Sequence, residues 1–279
     1  MSFPKSGRTW WSYFYAYYAC YLLLGSDADT FIDSRLSSGG HVYRPLEHPE
    51  LLDQLRANQS RLPEVRLGHY FEPRPYFAFH LVLDKIRAQR VVLLARDPRD
   101  VVVSYFHHLQ QSAALDHDRG KPLPAADVDL SEFIRSETHG IRVIVEYLNQ
   151  AAARGPETFP GFQILHYEDL CESPIATFTR ALEFLGAEID EHAVASAVGR
   201  TSFHNLQELE IERRAKKRPA IEANALRFRR GVPGSHRAEL IATDVDYLNR
   251  VIDAHLDPTF SRYRTPPEDQ DPGRASPAR

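Results

Sequence analysis

Lys5, Ser6 and Gly7 form a short polar turn directly before a long aromatic segment of helical length. Backbone N–H groups at such a turn, together with the positive end of the helix that follows, bind phosphate groups. In the phosphate loop GxxxxGK[ST] the Lys follows the second Gly, whereas Lys5 precedes Gly7. The turn therefore predicts an anion-binding loop in which side chains neutralise the charge. The alternative is an ordinary helix start.

A second candidate anion site follows residues 90–95, an apolar and strongly β-prone run. Arg96 leaves the end of this predicted strand as a forked donor. Ser104 lies two turns along the helix that Asp97 and Pro98 begin. The two side chains can bind one anionic group. A surface ion pair, with the helix facing the core, is the alternative.

A third basic segment lies near the end of the chain. Residues 211–230 contain eight Lys or Arg side chains and two Glu, although the chain as a whole is acidic. Gly231 and Gly234 follow a pair of arginines, which suggests a loop whose backbone N–H groups surround an anion. Residues 213–218 are predicted either as a lid over this site or as a solvated loop.

Five motifs follow one another along the chain, and together they resemble those of the sulfotransferase family. Residues 4–10 (PKSGRTW) are similar to the family's 5′-phosphosulfate loop PKSGTTW, and residues 96–104 fit its 3′-phosphate motif RxPxDxxxS. Residues 229–234 are similar to its RKGxxG, and the shorter matches are 167–169 (YED) and 201–203 (TSF). The resemblance implies transfer of a sulfuryl group from 3′-phosphoadenosine 5′-phosphosulfate (PAPS).

The resemblance assigns three groups of residues to the donor PAPS. Those implied to hold its 5′-phosphosulfate are Lys5, Ser6, Gly7, Arg8 and Thr9. Those implied to hold its 3′-phosphate are Arg96, Ser104, Arg229, Arg230 and Gly231. Those implied to surround its adenine are Trp10, Tyr167, Thr201 and Phe203, although Trp10 and Phe203 have a plain core position as the alternative.

Sulfuryl transfer to an alcohol needs a base for the acceptor hydroxyl and a cation for the leaving phosphate. A fixed cation such as Lys5 stabilises the charge that develops on the bridging oxygen, so no metal ion is required. Histidine is the natural base, because its ordinary pKa of about 6.5 lets it accept a proton at neutral pH. The family's catalytic His ends a strand between the first two motifs, which implies His69. The other histidines weighed for this role are His41, His80, His107 and His166.

Three positions depart from the family pattern. Arg8 replaces a Thr of the loop, and Leu67 stands where the family often has a Lys, unless Arg66 substitutes for it. Arg230 replaces a Lys, and the two side chains bind phosphate with different geometry.

Only three residues precede Pro4, where a central strand of about 5–6 residues is expected. We therefore also expect the native chain to begin earlier.

The elements that must position these residues alternate between strands and helices. Strands are predicted at 90–95, 162–167 and, more weakly, 65–69; helices are predicted at 100–111, 130–153, 173–185 and 242–256. This alternation predicts an α/β single domain with a central parallel β-sheet flanked by helices. The resemblance adds a P-loop-like phosphosulfate-binding loop to this expectation. In such sheets ligands bind beyond the carboxyl ends of the strands, which is where the motifs lie.

Two further segments set the limits of the predicted domain. Residues 9–25 are apolar but contain five tyrosines, and they are short for a membrane span of about 20 residues. They are predicted as a buried helix, a membrane-associated segment being the alternative. Residues 265–279 are rich in Pro and charge and are predicted as a disordered tail after a domain at 1–264.

Composition limits the class of protein. The 279 residues carry a net charge of -4 and two cysteines, which excludes a disulfide scaffold, a four-cysteine zinc site and a generic nucleic-acid coat. We expect a soluble, cytoplasmic enzyme whose acceptor is a small molecule with a hydroxyl group: a phenol, alcohol, lipid or sugar. The alternatives are an inactive PAPS-binding protein and, less favoured, a nucleotide-dependent phosphoryl transferase.

Overall fold

The computed structural model describes residues 1–37, 53, 57–58, 60–69, 71–72, 80–81, 83, 86, 88–117, 128–217, 226 and 228–265. The α-helices of this part are α1 (Arg8–Leu24), α2 (Ala28–Ser37), α3 (Pro98–His117), α4 (Leu130–Arg135), α5 (Ile141–Thr158), α6 (Tyr167–Glu172), α7 (Pro174–Leu185), α8 (Glu191–Arg200), α9 (Phe203–Lys217) and α10 (Ala242–His255). The strands are β1 (Phe71–Glu72), β2 (His80–Leu81), β3 (Arg90–Ala95) and β4 (Gly161–His166). Short 3-10 helices cover Gly25–Asp27, Ser235–Ala238 and Pro258–Tyr263.

The parallel strands β3 and β4 form the centre of the described fold. Their register pairs Arg90 with Gly161 and continues to the last residue of both strands. Ser2 forms a parallel bridge to Leu94, on the other edge of β3. The predicted α/β class is confirmed, as are both longer predicted strands, although β4 begins one residue earlier than expected.

The strand predicted at 65–69 is wrong, because residues 63–69 form no strand. A strand requires a ladder of backbone hydrogen bonds to its neighbour. Among the described residues, one backbone bond joins this segment to the chain start: the Ser2 N–H donates to the Gly68 carbonyl at 3.3 Å. The segment therefore lies beside residues 1–3 without becoming part of the sheet.

The side chains of β3 alternate between two apolar clusters, as expected for a sheet covered on both faces. Val91 and Leu93 pack in one cluster with Ile144 of α5. Leu94 packs in the other cluster with Phe178 of α7. Burying a side chain of this size contributes about 1.5–3 kcal/mol, so the two clusters hold the sheet firmly between its helices. The carboxyl ends of β3 and β4 are thereby fixed at one edge.

Helix α1 is the aromatic segment predicted at 9–25, and its residues from Trp11 to Leu22 are almost all buried. The ring of Phe14 stacks on Phe178 with 3.5 Å between centroids. The Tyr18 hydroxyl donates to the Glu188 carbonyl. The prediction of a buried helix is confirmed. None of the described helices combines the length and the apolar character needed to cross a membrane.

The helix predicted at 130–153 is interrupted and forms α4 and α5. At the break, the Ser136 hydroxyl accepts from the backbone N–H groups of Thr138 and His139, both at 3.3 Å. Such side-chain bonds compete with helical ones, and an apolar pattern that continues across the break conceals them. The helices predicted at 173–185 and 242–256 agree with α7 and α10 within one residue.

Two predicted segments lie wholly or partly outside the described residues. The described chain ends at Thr265, whose N–H donates to the Asp253 carboxylate at 2.8 Å. Residues 266–279 of the predicted tail lie beyond it. In the basic segment, residues 213–217 continue α9, and residue 218 is outside the described residues. The tail, the domain limit and the lid stay predictions.

Candidate active site

The turn at residues 4–7 has the backbone geometry of an anion-binding loop. Lys5 has a φ of 70° and Gly7 a φ of 100°, so both adopt the left-handed conformation. A left-handed conformation at a residue other than Gly costs about 1–3 kcal/mol and is concentrated at functional sites. Helix α1 begins directly after Gly7 and carries no acidic residue in its first turn. The positive end of α1 therefore faces the loop.

Tyr167, the first residue of α6, packs directly on this loop. A Cβ atom at Gly7 would lie 2.7 Å from Cδ2 of the Tyr167 ring, which leaves no room for a side chain. The Arg96 guanidinium lies over the same ring, with Cζ 4.3 Å from its centroid. The Tyr167 hydroxyl donates to the Gly231 carbonyl at 3.3 Å. This ring therefore joins the three predicted anion-binding segments.

Arg96 follows β3 directly and is 9% exposed. Its Nη1 donates to the Lys5 carbonyl at 3.2 Å. Its Nη2 lies 3.6 Å from the Asp100 carboxylate one helical turn later. The positive charge of Arg96 is thus held between the loop and the start of α3.

Residues 228–234 run along the site beside α9. Gln207 of that helix donates from Nε2 to the Phe228 carbonyl at 2.7 Å. Gly231 has a φ of 65°, and a Cβ atom there would lie 2.1 Å from the Phe203 ring. Only Gly fits this position, because a side chain would overlap the Phe203 ring.

The two arginines of this segment share a carboxylate. Arg229 Nη1 lies 2.7 Å and Arg230 Nε lies 3.6 Å from Glu239 Oε1. His107 Nε2 binds the other carboxylate oxygen. Burial by itself would raise the pKa of Glu239, but the hydrogen bonds from His107 and Arg229 outweigh it and lower the pKa to about 2. His107 is thus bound to the carboxylate that holds the two arginines.

His69 is held by the chain start. Its Nδ1 lies 2.9 Å from the Ser2 carbonyl oxygen. A carbonyl can only accept, so Nδ1 carries the proton in this arrangement and Nε2 is the basic atom. Burial lowers the pKa of His69 to about 4, and the charge of Arg8 acts in the same direction. The imidazole is therefore neutral at physiological pH.

A cavity of about 190 Å³ brings the predicted segments together. The predicted site residues that line it are Lys5, Gly7, Arg8, Thr9, Trp10, His69, Arg96, Ser104, Tyr167, Phe203, Arg229, Arg230 and Gly231. A larger cavity of about 980 Å³ extends from Arg90 and Gly161 at the amino ends of the strands to Arg8 and Leu94. The smaller cavity is the candidate active site, because it combines Lys5, His69 and Arg96 beyond the carboxyl end of β3, where ligands of parallel sheets bind.

Two predicted residues are not among those that line this cavity. Ser6 is buried, and its N–H donates to the Phe3 carbonyl at 3.4 Å. The Thr201 hydroxyl is turned into its own helix and donates to the Ala197 carbonyl at 2.7 Å. For these two residues the assigned contacts with PAPS stay predictions.

Five further residues line the cavity without having been predicted: Pro4, His108, Leu206, Phe228 and Ser235. Two of them had a signal in the sequence. His108 lies four residues after Ser104, and residues at this spacing share one face of a helix. Ser235 directly follows the Gly-containing motif. Pro4 belongs to the motif at residues 4–10 without an assigned role, and Leu206 and Phe228 carry apolar side chains that are common in cores.

Two buried nitrogen atoms beside the cavity have no hydrogen-bond partner in the described part of the chain: Trp10 Nε1 and Arg96 Nε. An unsatisfied buried donor costs about 1–3 kcal/mol, so the site favours a ligand that carries acceptor atoms. Phosphate oxygens and the ring nitrogens of a nucleotide base are such acceptors. The described residues contain no group of three or more His, Cys, Asp or Glu side chains that could hold a metal ion.

The remaining candidate histidines lie elsewhere. His166 ends β4 with its Nδ1 2.8 Å from the Tyr263 hydroxyl, and burial lowers its pKa to about 4. His80 begins β2, and its side chain is not described. His41 lies outside the described residues. Of the weighed histidines whose side chains the structure describes, His69 is the one that lines the cavity.

The sulfotransferase domain family matches residues 1–260. The chain is 25% identical over 269 residues to flavonol 3-sulfotransferase from Flaveria bidentis, covering 92% of this chain and 81% of that relative. It is 24% identical over 267 residues to luciferin sulfotransferase from Photinus pyralis, covering 86% and 66%. Its fold is similar to a crystal structure of retinol dehydratase in complex with androsterone and the inactive cofactor PAP. That similarity has a TM-score of 0.52 and 18% identity, and it covers 92% of this chain and 79% of that one.

Proposed function

The chain belongs to the sulfotransferase domain family, and we propose that it transfers a sulfuryl group from PAPS to the hydroxyl group of a small-molecule acceptor. One observation carries this proposal. A neutral imidazole, that of His69, and a lysine, Lys5, line the same cavity as the arginines of two predicted phosphate-binding segments. A base, a cation for the leaving group and two sites for an anionic donor are the parts that this reaction needs.

The donor would span the cavity, with its 5′-phosphosulfate at one end and its 3′-phosphate at the other. The 5′-phosphosulfate fits the loop around Lys5 and Gly7, where the positive end of α1 adds to the lysine charge. The 3′-phosphate fits beside Arg96 and the arginines Arg229 and Arg230. PAPS supplies the activated sulfuryl group, and the protein supplies position and charge. The described residues fit PAPS, since Trp10 Nε1 and Arg96 Nε are buried donors that have no hydrogen-bond partner in the described part of the chain.

We assign His69 as the general base. The Ser2 carbonyl accepts a hydrogen bond from the Nδ1–H of His69, which fixes the ring and leaves Nε2 as the atom that takes the proton of the acceptor hydroxyl. Because burial lowers the pKa of His69, the imidazole needs no deprotonation before it acts. The negative charge of a bound donor would raise this pKa again and strengthen the base.

We assign Lys5 to the leaving group. Its ammonium group would balance the charge that appears on the phosphate when the bond to sulfur breaks. The left-handed backbone at Lys5 and the bond from Arg96 to its carbonyl hold this residue at the cavity. Positioning and fixed charge would supply most of the acceleration.

The acceptor is a small molecule on this proposal. The two curated relatives carry a flavonol and luciferin in their names, and the solved relative was bound to androsterone. All of these are small molecules that carry hydroxyl groups. Leu206 and Phe228 give the cavity apolar walls that suit such an acceptor.

Ligand-dependent thermal unfolding without added metal tests the donor site. We expect adenosine 3′,5′-bisphosphate (PAP) to raise the melting temperature, while AMP and ATP do so less. A ligand at 100 times its dissociation constant stabilises by about 2.7 kcal/mol, which corresponds to roughly 5–10 °C here. Stabilisation by ATP that requires magnesium, and none by PAP, would favour a phosphoryl transferase instead.

Transfer of labelled sulfate from PAPS to a panel of phenols, alcohols and sugars tests the chemistry. We expect His69→Gln to lower the rate by about 100-fold or more while PAP still binds. His192→Gln is the matched control, because His192 is exposed on α8. Binding of PAP without transfer to any acceptor class would instead favour the inactive PAPS-binding protein.

A further inference from the structure

Asp100 accepts several hydrogen bonds from a segment that lies 134–136 residues later in the chain. Its Oδ2 accepts from the Gly234 N–H at 2.8 Å. Its Oδ1 accepts from the His236 N–H at 2.9 Å and lies 2.8 Å from the His236 imidazole Nδ1. The Ser235 hydroxyl lies 3.4 Å from the same oxygen. One carboxylate thus determines the course of the chain directly after the Arg229–Arg230 pair.

The same carboxylate faces Arg96. Arg96 Nη2 lies 3.6 Å from Asp100 Oδ2, and the Asp100 side chain has no exposed surface. Burial by itself would raise the pKa of Asp100, but the hydrogen bond from His236 and the Arg96 charge outweigh it and lower the pKa to about 2. Asp100 is therefore ionised over the whole physiological range. It neutralises part of the Arg96 charge and orients the guanidinium.

His236 completes this arrangement and is itself buried, at 3% exposure. Its imidazole is a donor that points at Asp100 from the 3-10 helix Ser235–Ala238. Neither Asp100 nor His236 lines the cavity, whereas Arg96, Arg230 and Ser235 on either side of the pair do. The pair thus lies behind the proposed 3′-phosphate site and joins its two halves.

We infer that Asp100 and His236 are positioning residues that make the site selective for a nucleoside 3′,5′-bisphosphate over a 5′-monophosphate. They hold Arg96 and residues 229–234 at the separation that one 3′-phosphate spans. This inference rests on the proposed function, because it assigns the 3′-phosphate of the donor to these two segments. A loss of the pair should disturb the 5′-phosphate loop around Lys5 less than the 3′-phosphate site. Tyr167 and the start of α1 hold that loop in addition to the Arg96 bond to the Lys5 carbonyl.

The test compares dissociation constants for PAP and AMP in the full-length chain. We expect wild type to prefer PAP, and we expect Asp100→Asn and His236→Leu to weaken PAP binding by about tenfold or more. AMP binding should change by less than about threefold, because AMP lacks the 3′-phosphate. With PAPS as substrate, the same variants should raise KM and leave kcat at saturation nearly unchanged.

Asp244→Asn is the matched control. Asp244 is also buried and bound to an arginine, with Arg135 Nη1 2.7 Å away, but it belongs to α10 and does not line the cavity. Its substitution should leave the preference for PAP over AMP as in wild type, even if stability falls. His236→Asn should retain most of the preference, because the Asn amide can donate near the position of Nδ1.

The outcomes separate this inference from the proposed function. If wild type does not prefer PAP to AMP, the proposed donor is wrong and the inference falls with it. If wild type prefers PAP but His236→Leu keeps that preference, only the inference is overturned. The inference alone is also overturned if Asp100→Asn weakens the binding of PAP and of AMP by the same factor. His236→Leu and His236→Asn decide the question should Asp100→Asn fail to fold.

Discussion

The Asp97 backbone N–H donates to the Glu168 carboxylate at 2.9 Å and so joins the loops that follow the two parallel strands. The second Glu168 oxygen accepts from the Tyr263 hydroxyl at 2.8 Å, and His166 Nδ1 lies 2.8 Å from that hydroxyl. The 3-10 helix Pro258–Tyr263 therefore fastens both strand ends. The loop that Asp97 belongs to also carries Arg96, so this buried network supports the candidate active site.

Tyr263→Phe tests the network. Removal of the hydroxyl takes a buried partner from His166 and from one Glu168 oxygen, which should lower the free energy of unfolding by about 1–3 kcal/mol. Tyr105→Phe is the matched control, because Tyr105 is also buried but does not belong to this network. Urea unfolding measures both. Equal effects of the two substitutions would contradict the role given to the network.

Gly7→Ala should disable the loop. A φ of 100° is unfavourable for any residue other than Gly. The Tyr167 ring also lies 2.7 Å from the position that a Cβ atom would take, so an added methyl group would clash with it. The backbone strain alone costs about 1–3 kcal/mol. We expect a loss of PAP binding together with a lower melting temperature. Gly199→Ala in helix α8 is the control: it meets open space and should be neutral or stabilising by up to about 1 kcal/mol. Unimpaired PAP binding by Gly7→Ala would rule out this loop as the donor site.

The pKa of His69 predicts the pH dependence of the reaction. His69 must be neutral to accept a proton, and burial lowers its pKa to about 4. We therefore expect kcat/KM for PAPS, which reports the free enzyme, to stay level from about pH 8 to about 5.5 and to fall below that. Arg8→Gln should move the fall to higher pH, since the Arg8 charge contributes to the lowering. A fall in wild type centred at about pH 6.5 would contradict the buried, neutral imidazole.

His166 predicts a loss of stability in acid. Burial lowers its pKa to about 4 in the folded protein, whereas the unfolded chain has the ordinary value of about 6.5. Below that value the unfolded state binds more protons, so the free energy of unfolding should fall as the pH drops from about 6.5 to about 4. His166→Gln should reduce this slope, as measured by urea unfolding at several pH values. The exposed His192→Gln should leave it unchanged. His69 contributes to the slope over the same pH range, so the test is the difference from wild type, and an unchanged slope in His166→Gln would refute the assignment.

Much of this protein could be predicted from local sequence. The run at 90–95 specifies a strand and the run at 9–25 specifies a buried helix. Both could be predicted because the apolar pattern and the β-propensity of a segment depend on its own residues. The five motifs indicate the family without any knowledge of contacts. The strand expected at 65–69 does not form, since strand formation there depends on a partner that the segment's own residues do not specify.

The sequence by itself determined the family, the α/β class, the two longer strands and most of the residues that line the cavity. Only the tertiary structure decided which groups act on one another: Asp100 with His236, Glu239 with Arg229, and the Ser2 carbonyl with His69. These partners are 10 to 136 residues apart in the chain. Burial and neighbouring charge set the protonation state of each group, and both arise only when distant segments pack together.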